Sequence, residues 1–267
     1  MRRLFALLLA LAAAVALAFF LLPLVGLFTR TSPADVVHRL GTAQARDALL
    51  VSLKTNAIAE ALIVLFGTPA GYLLATRRFP GRAVVLTILE LPLVLPPAVG
   101  GIALLAAFGR FGLLHGAGGI AFTQTAVVLA VCFVAGPFYV RPAVAAFEGV
   151  DVRLVEAART LGAGPARVFA RVALPLAAAG LGTAAAVAFA RGLGEFGATI
   201  MFAGSLQGVT QTLPLAVYSA FATDLDTAVA LGVLLVVVSA AILLTVKLVP
   251  SWTRFALTSP FRSAPSA

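Results

Sequence analysis

The sequence predicts an all-α polytopic membrane protein with six transmembrane helices. Three observations predict it. Hydrophobic residues occupy 61% of the 267 positions and mean hydropathy is +1.08, more apolar surface than a soluble domain of this size can hide. Runs of about twenty apolar residues recur, each long enough for a hydrocarbon core of roughly 30 Å. Basic residues gather in alternate loops between those runs. The alternating polar and apolar pattern of a membrane barrel is absent.

Six spans follow in order, at roughly 4–28, 51–76, 83–108, 122–147, 174–203 and 227–249. The first follows Met1-Arg2-Arg3. Its apolar run exceeds the roughly 7–15 residues of a signal-peptide core, so a retained span is expected. The third contains Leu91-Pro92-Leu93-Val94-Leu95-Pro96-Pro97. Proline removes a backbone donor and clashes with the preceding turn, so a kink is expected there. Such a kink belongs against protein or a watery path rather than lipid; it fits a structural bend and a gate equally. A short loop with Gly109-Arg110-Phe111-Gly112 and glycines at 116, 118 and 119 leads into the fourth span. The chain divides into a first span with its external loop (1–50), a transport module (51–249) and a tail (250–267).

Placing both termini in the cytoplasm puts Arg2, Arg3, Arg77, Arg78, Arg82, Arg141, Arg153, Arg159, Arg167, Arg171, Lys247, Arg254 and Arg262 on that side. Only Arg30, Arg39, Arg46 and Arg110 fall outside, which is the positive-inside asymmetry. The net charge of +9 and pI near 11.2 are thus accounted for by topology, and no nucleic-acid partner is expected. Cys132 stands alone in an apolar run, which excludes an intrachain disulfide and a cysteine metal site.

The cytoplasmic loop before the fifth span carries the strongest signal. Asp151 suits an N-cap or first-turn acid for a short helix running to Leu161. Gly162 suits its left-handed C-terminal stop. Gly164-Pro165 restarts a helix, with Arg167 and Arg171 on one face and Val168, Phe169 and Val172 available to the membrane boundary. Two short helices with a sharp corner are expected. The register Glu156-Ala157-Ala158, Gly162, Val172, Leu174-Pro175 resembles the EAA loop of the membrane subunits of ABC importers. That resemblance implies a type I importer permease fold, in which the first helix is a coupling helix docked on a separate ATPase. Asp151, Arg153, Glu156, Ala157, Ala158, Leu161, Gly162 and Gly164 would form the coupling surface. The chain has no Gly-rich P-loop, so it is not expected to be an enzyme or to hold a cofactor; ATP and Mg would bind the partner ATPase.

The fifth span carries a charged pair, Arg191 and Glu195, one helical turn apart. Ionisable groups at membrane depth face a bundle interior or a watery path. A packing lock and a path-lining or gate-shaping pair are both open readings; an anion-binding pocket is disfavoured against the path-lining reading, because Glu195 cancels the charge such a pocket would need. Arg191, Gly194, Glu195, Phe196, Thr199, Pro96 and Pro97 are the candidate path or gate residues. The segments AFARGLGEFGATIMF, EGVDVRLVEAARTLGAG, LPLVLPP and FGTPAGYLLATRRFPGR narrow the resemblance. They look like the permease subunits for molybdate and tungstate, with sulfate permeases as close relatives. The resemblance covers about 50–249. It implies a second copy of the chain, two ATPase subunits and an external oxyanion-binding protein, in a bacterial or archaeal cytoplasmic membrane.

Lys54, Asn56 and Glu60 open the second span and Glu90 lies in the third. Lys54 can snorkel to the boundary, while Glu60 and Glu90 suit partners between helices. His38 and His115 stand apart from any ligand cluster, so no metal site is expected. A secondary transporter would more naturally show internal repeats and intramembrane ion sites. A membrane enzyme or lipid-handling protein would leave the Glu156–Pro175 register unexplained.

Overall fold

Proline and glycine placement decides where the long apolar runs break. In the computed structural model, which describes residues 2–114 and 119–257, helix α1 (Arg2–Thr29) is followed by the short α2 (Pro33–Leu40) and the long α3 (Ala43–Thr76). Pro23 and Pro69 sit inside α1 and α3 without ending them. The third run behaves differently: α4 (Arg82–Val94) and α5 (Pro97–Phe108) meet at 117°. The expected single kinked span at 83–108 is therefore a broken one. Consecutive Pro96 and Pro97 remove two adjacent donors, and Leu95, forced away from the helical region by the following proline, is extended at ψ 135°. Pro97 then starts α5, where its missing N–H costs nothing.

Helix α6 (Gln124–Glu148) leads to α7 (Val152–Thr160), α8 (Pro165–Val168), a π turn over Phe169–Ala173 and α9 (Leu174–Leu193). The fifth span differs from its expected limits at both ends. The helical path starts at Pro165, ahead of 174, and α9 stops at Leu193; α10 (Gly197–Ala203) follows a short break. The 204–226 segment contains α11 (Leu213–Phe221), and α12 (Leu225–Leu257) closes the described chain. Helix α3 begins ahead of the expected boundary at 51 because Thr42 caps it, accepting from the Ala45 amide.

Among the described residues, five helices are long and apolar enough to cross a membrane, or six if the bent α4–α5 pair is one span. Helices α3, α6 and α9 form the centre, burying Ala59, Ile63, Val131, Ala135, Tyr139 and Ala184 against one another. The alanines among them allow close helix approach where lipid supplies no hydrophobic drive. Helices α5, α6 and α10 share a second core around Leu104, Val127 and Phe202. A third joins α3, α11 and α12 through Ala48, Leu213 and Leu231. Helix α1 stands outside all three, its apolar residues exposed.

Candidate functional site

The loop from Asp151 to Pro165 folds as the sequence predicts. The Asp151 carboxylate accepts the Arg153 amide at 2.9 Å and caps α7. Gly162 turns the chain at φ +82°, a conformation that costs a side-chain-bearing residue strain. Helix α8 restarts at Pro165 behind Gly164. The corner projects: Asp151, Arg153, Glu156, Ala157, Gly162 and Gly164 are exposed, Ala158 is half-buried, and Leu161 is 88% exposed.

Beyond the corner, one expectation changes. The chain passes through a π turn, with the Leu174 N–H donating to the Phe169 carbonyl, and Arg167 and Arg171 are both exposed. Val168 is fully buried and Phe169 packs on Tyr72 and Phe147 with ring centroids 4.8 and 6.3 Å apart, so both face the bundle rather than the membrane boundary.

Arg191 and Glu195 do meet, at 2.9 Å. They are not successive turns of one helix, because Gly194 is the C-cap of α9 and Glu195 lies in the break before α10. Glu195 is 2% exposed, and its other oxygen accepts the Ala198 amide at 2.8 Å, anchoring the start of α10. Arg191 also lies over the Phe138 ring at 5.9 Å, a cation–π arrangement. Thr199 is fully buried with no hydrogen-bond partner for its hydroxyl among the described residues. Phe196 stacks obliquely on Tyr218 at 5.1 Å.

The proline break belongs to the same place. A Cβ on Gly197 would lie 2.8 Å from the Pro97 Cβ, so α10 rests directly on the start of α5. The structure thus gathers the broken third run, the broken fifth run and the charged pair at one point, with Pro96 and Pro97 exposed and Gly194 exposed.

Asn56 enters this assembly although the sequence marks it only as a polar residue at the head of a span. It is 1% exposed and donates from Nδ2 to the Phe189 carbonyl at 2.9 Å. The available signal was an amide inside an otherwise apolar helix. Glu90 pairs with Arg141 between α4 and α6, and Lys54 donates to Gln124 at 2.8 Å. Glu60 Oε1 is buried without a partner among the described residues. His38 is exposed; His115 lies outside the described residues. No cluster of metal-ligating side chains occurs among the described residues.

Comparison with known proteins gives a consistent set of matches. Residues 67–254 match the family described as binding-protein-dependent transport system inner membrane component. The molybdenum transport system permease protein ModB of Mycobacterium tuberculosis is 48% identical over 237 residues, covering 85% of this chain and 88% of that protein. ModB of Escherichia coli K12 is 45% identical over 183 residues, covering 66% and 80%. Among solved structures, a bacterial alginate ABC transporter, crystallised with an alginate pentasaccharide-bound periplasmic protein, has a chain that superposes with TM-score 0.73 at 17% identity. That match covers 91% of this chain and 92% of the other, a likeness of fold.

Proposed function

Because the chain belongs to the family of binding-protein-dependent transport system inner membrane components, we propose that it is the permease subunit of an ATP-driven importer for molybdate. The projecting α7–α8 corner carries this reading: a capped helix, a left-handed Gly162 and an exposed Leu161 form a knob that nothing covers among the described residues. The substrate class comes from relatives named as molybdenum permeases at 45–48% identity. The ATPase partner hydrolyses ATP; this multi-pass membrane chain converts the stroke into a path.

One continuous piece of helix joins the corner to the charged pair. From Pro165 to Leu193 the chain stays helical over 29 residues, about 40 Å at the usual rise. Its start is the corner that meets the ATPase, and its end presents Arg191. Closure of two ATPases would displace α7 in each of two permease copies, and α9 would carry that displacement to Arg191 and Glu195. The bend between α4 and α5 and the break before α10 meet there, so the helices around the gate are already divided into pieces that can shift separately. Arg191, with its charge balanced by Glu195, shapes the gate without holding a dianion tightly. Tight binding would belong to an external receptor protein. Both termini would face the cytoplasm, as the distribution of arginines favours.

Reconstitution into vesicles tests the reading. The chain, a partner ABC ATPase and the cognate receptor should accumulate molybdate when ATP is supplied on the α7 side. Accumulation driven by an ion gradient without the ATPase, or sulfate uptake undiminished by excess molybdate, would reject it.

A further inference from the structure

Beneath α7 lies a cleft of about 520 Å³, enclosed by the ends of α3, α4 and α6 and the inner face of α7. Its floor is apolar: Tyr72, Ala75, Phe147 and Val155 line it, and the Tyr72 and Phe147 rings brace each other at 5.3 Å. Its rim is basic, with Arg77, Arg78, Arg82 and Arg159 against Glu148 and Glu156. Arg82 and Glu148 are committed to each other at 2.9 Å, and Arg82 Nε also donates to the Leu74 carbonyl at 2.7 Å. Among the described residues, no ion pair or side-chain hydrogen bond engages Arg77, Arg78 or Arg159. Three exposed guanidinium groups therefore face one free carboxylate, Glu156, around an apolar floor.

We propose that this cleft binds the headgroup of an anionic phospholipid, a proposal that rests on α7 facing the cytoplasm. The helix ends place it where hydrocarbon gives way to headgroups. Guanidinium forks match phosphate oxygens in pairs, and basic pockets at cytoplasmic helix ends attract anionic headgroups. A free oxyanion would satisfy the arginines but leave the half-buried Tyr72, Ala75 and Val155 wet. A phospholipid covers both, its phosphate on the rim and its glycerol region on the floor. The bound lipid would fill the gap between the coupling helix and the bundle, so that α7 is supported from behind when the ATPase pulls on it.

Native mass spectrometry tests this on the full chain, alone and with its ATPase, after equilibration with phosphatidylglycerol or phosphatidylcholine. The wild type should retain phosphatidylglycerol preferentially. Arg77→Gln, Arg78→Gln and Arg159→Gln should each weaken retention about five-fold, and together roughly a hundred-fold. Arg110→Gln, in a loop far along the chain from this cleft, should change nothing. Equal retention of the two lipids, or undiminished retention in the single and triple variants, overturns the proposal. So does displacement of phosphatidylglycerol by inorganic phosphate beyond that caused by sodium chloride at equal ionic strength, which would make this a free-oxyanion site. Loss of the lipid whenever the ATPase binds would assign the arginines to the protein interface and also overturn it. Failure of any ATPase to associate would count against the importer reading, while the lipid measurement on the chain alone stands by itself.

Discussion

The Asn56 amide crosses from α3 to the Phe189 carbonyl at 2.9 Å, two residues before Arg191. The same side chain lies hard against Gly192: a Cβ there would collide with Asn56 Oδ1 and come 2.8 Å from Val131 Cγ1. Asn56 and Gly192 are both buried, so neither the amide nor the backbone has room to yield. Asn56→Ala should therefore cost about 1–3 kcal/mol, and Gly192→Ala a similar amount from overpacking. Thermal unfolding of the purified chain reads both. A variant of either kind as stable as the wild type would show that this contact does not hold α9 in place.

Breaking the Arg191–Glu195 pair strands a charge in the membrane interior. Arg191→Ala should lose about 3–5 kcal/mol by analogy with buried pairs in soluble proteins, together with transport. Arg191→Met combined with Glu195→Gln should restore assembly. If the pair shapes the gate, that neutral variant still binds the ATPase yet transports poorly, or hydrolyses ATP without uptake. Full uptake by the assembled double variant would reduce the pair to a packing lock.

At the corner, Gly162→Val forces a β-branched residue to φ +82°, and Glu156→Lys reverses an exposed charge on α7. Both should lower co-purification of the ATPase while membrane insertion stays normal. Normal co-purification and transport in both variants would remove α7 as the coupling element.

Outside the bundle, Arg39 reaches from α2 to Asp224 at 2.5 Å and to Thr227 at 2.7 Å, tying α2 to the head of α12. The Asp224 carboxyl is held down at about 2, first by the Thr227 hydroxyl and amide and then by Arg39. A carboxyl depressed in the folded state contributes stability above the unfolded carboxylate range, roughly 4, and loses it as pH falls toward the folded value. The Asp224→Asn effect on Tm should thus be the same near neutrality and near pH 5 and should shrink below about pH 4. Thr227→Val and Arg39→Gln should each raise the Asp224 pKa, and a pKa unmoved by either change would remove that contact as a cause.

Topology has its own measurement. With Cys132→Ala as background, a single cysteine at position 160 should resist a membrane-impermeant thiol reagent in intact cells, and one at 207 should react. Labelling at 160 from outside would invert the assignment.

Sequence by itself determined the elements whose causes are local. Apolar runs of membrane length, the proline pair at 96–97, and the Asp151, Gly162 and Pro165 signals around α7 all act within a few residues, and the corner folds as they dictate. Only the tertiary structure decided what distant elements do to one another. Hydropathy is blind to a backbone break inside an apolar run, so 174–203 reads as one span, while the chain leaves the helix at Gly194 and restarts at Gly197, where α10 rests on the start of α5. Likewise nothing near Asn56 in the chain points to Phe189, nor anything near Arg77 to Arg159; those meetings follow from small side chains letting α3, α6 and α9 pack closely. A contact between residues far apart in sequence exists because helices share a surface, and that surface is a property of the bundle rather than of any single run.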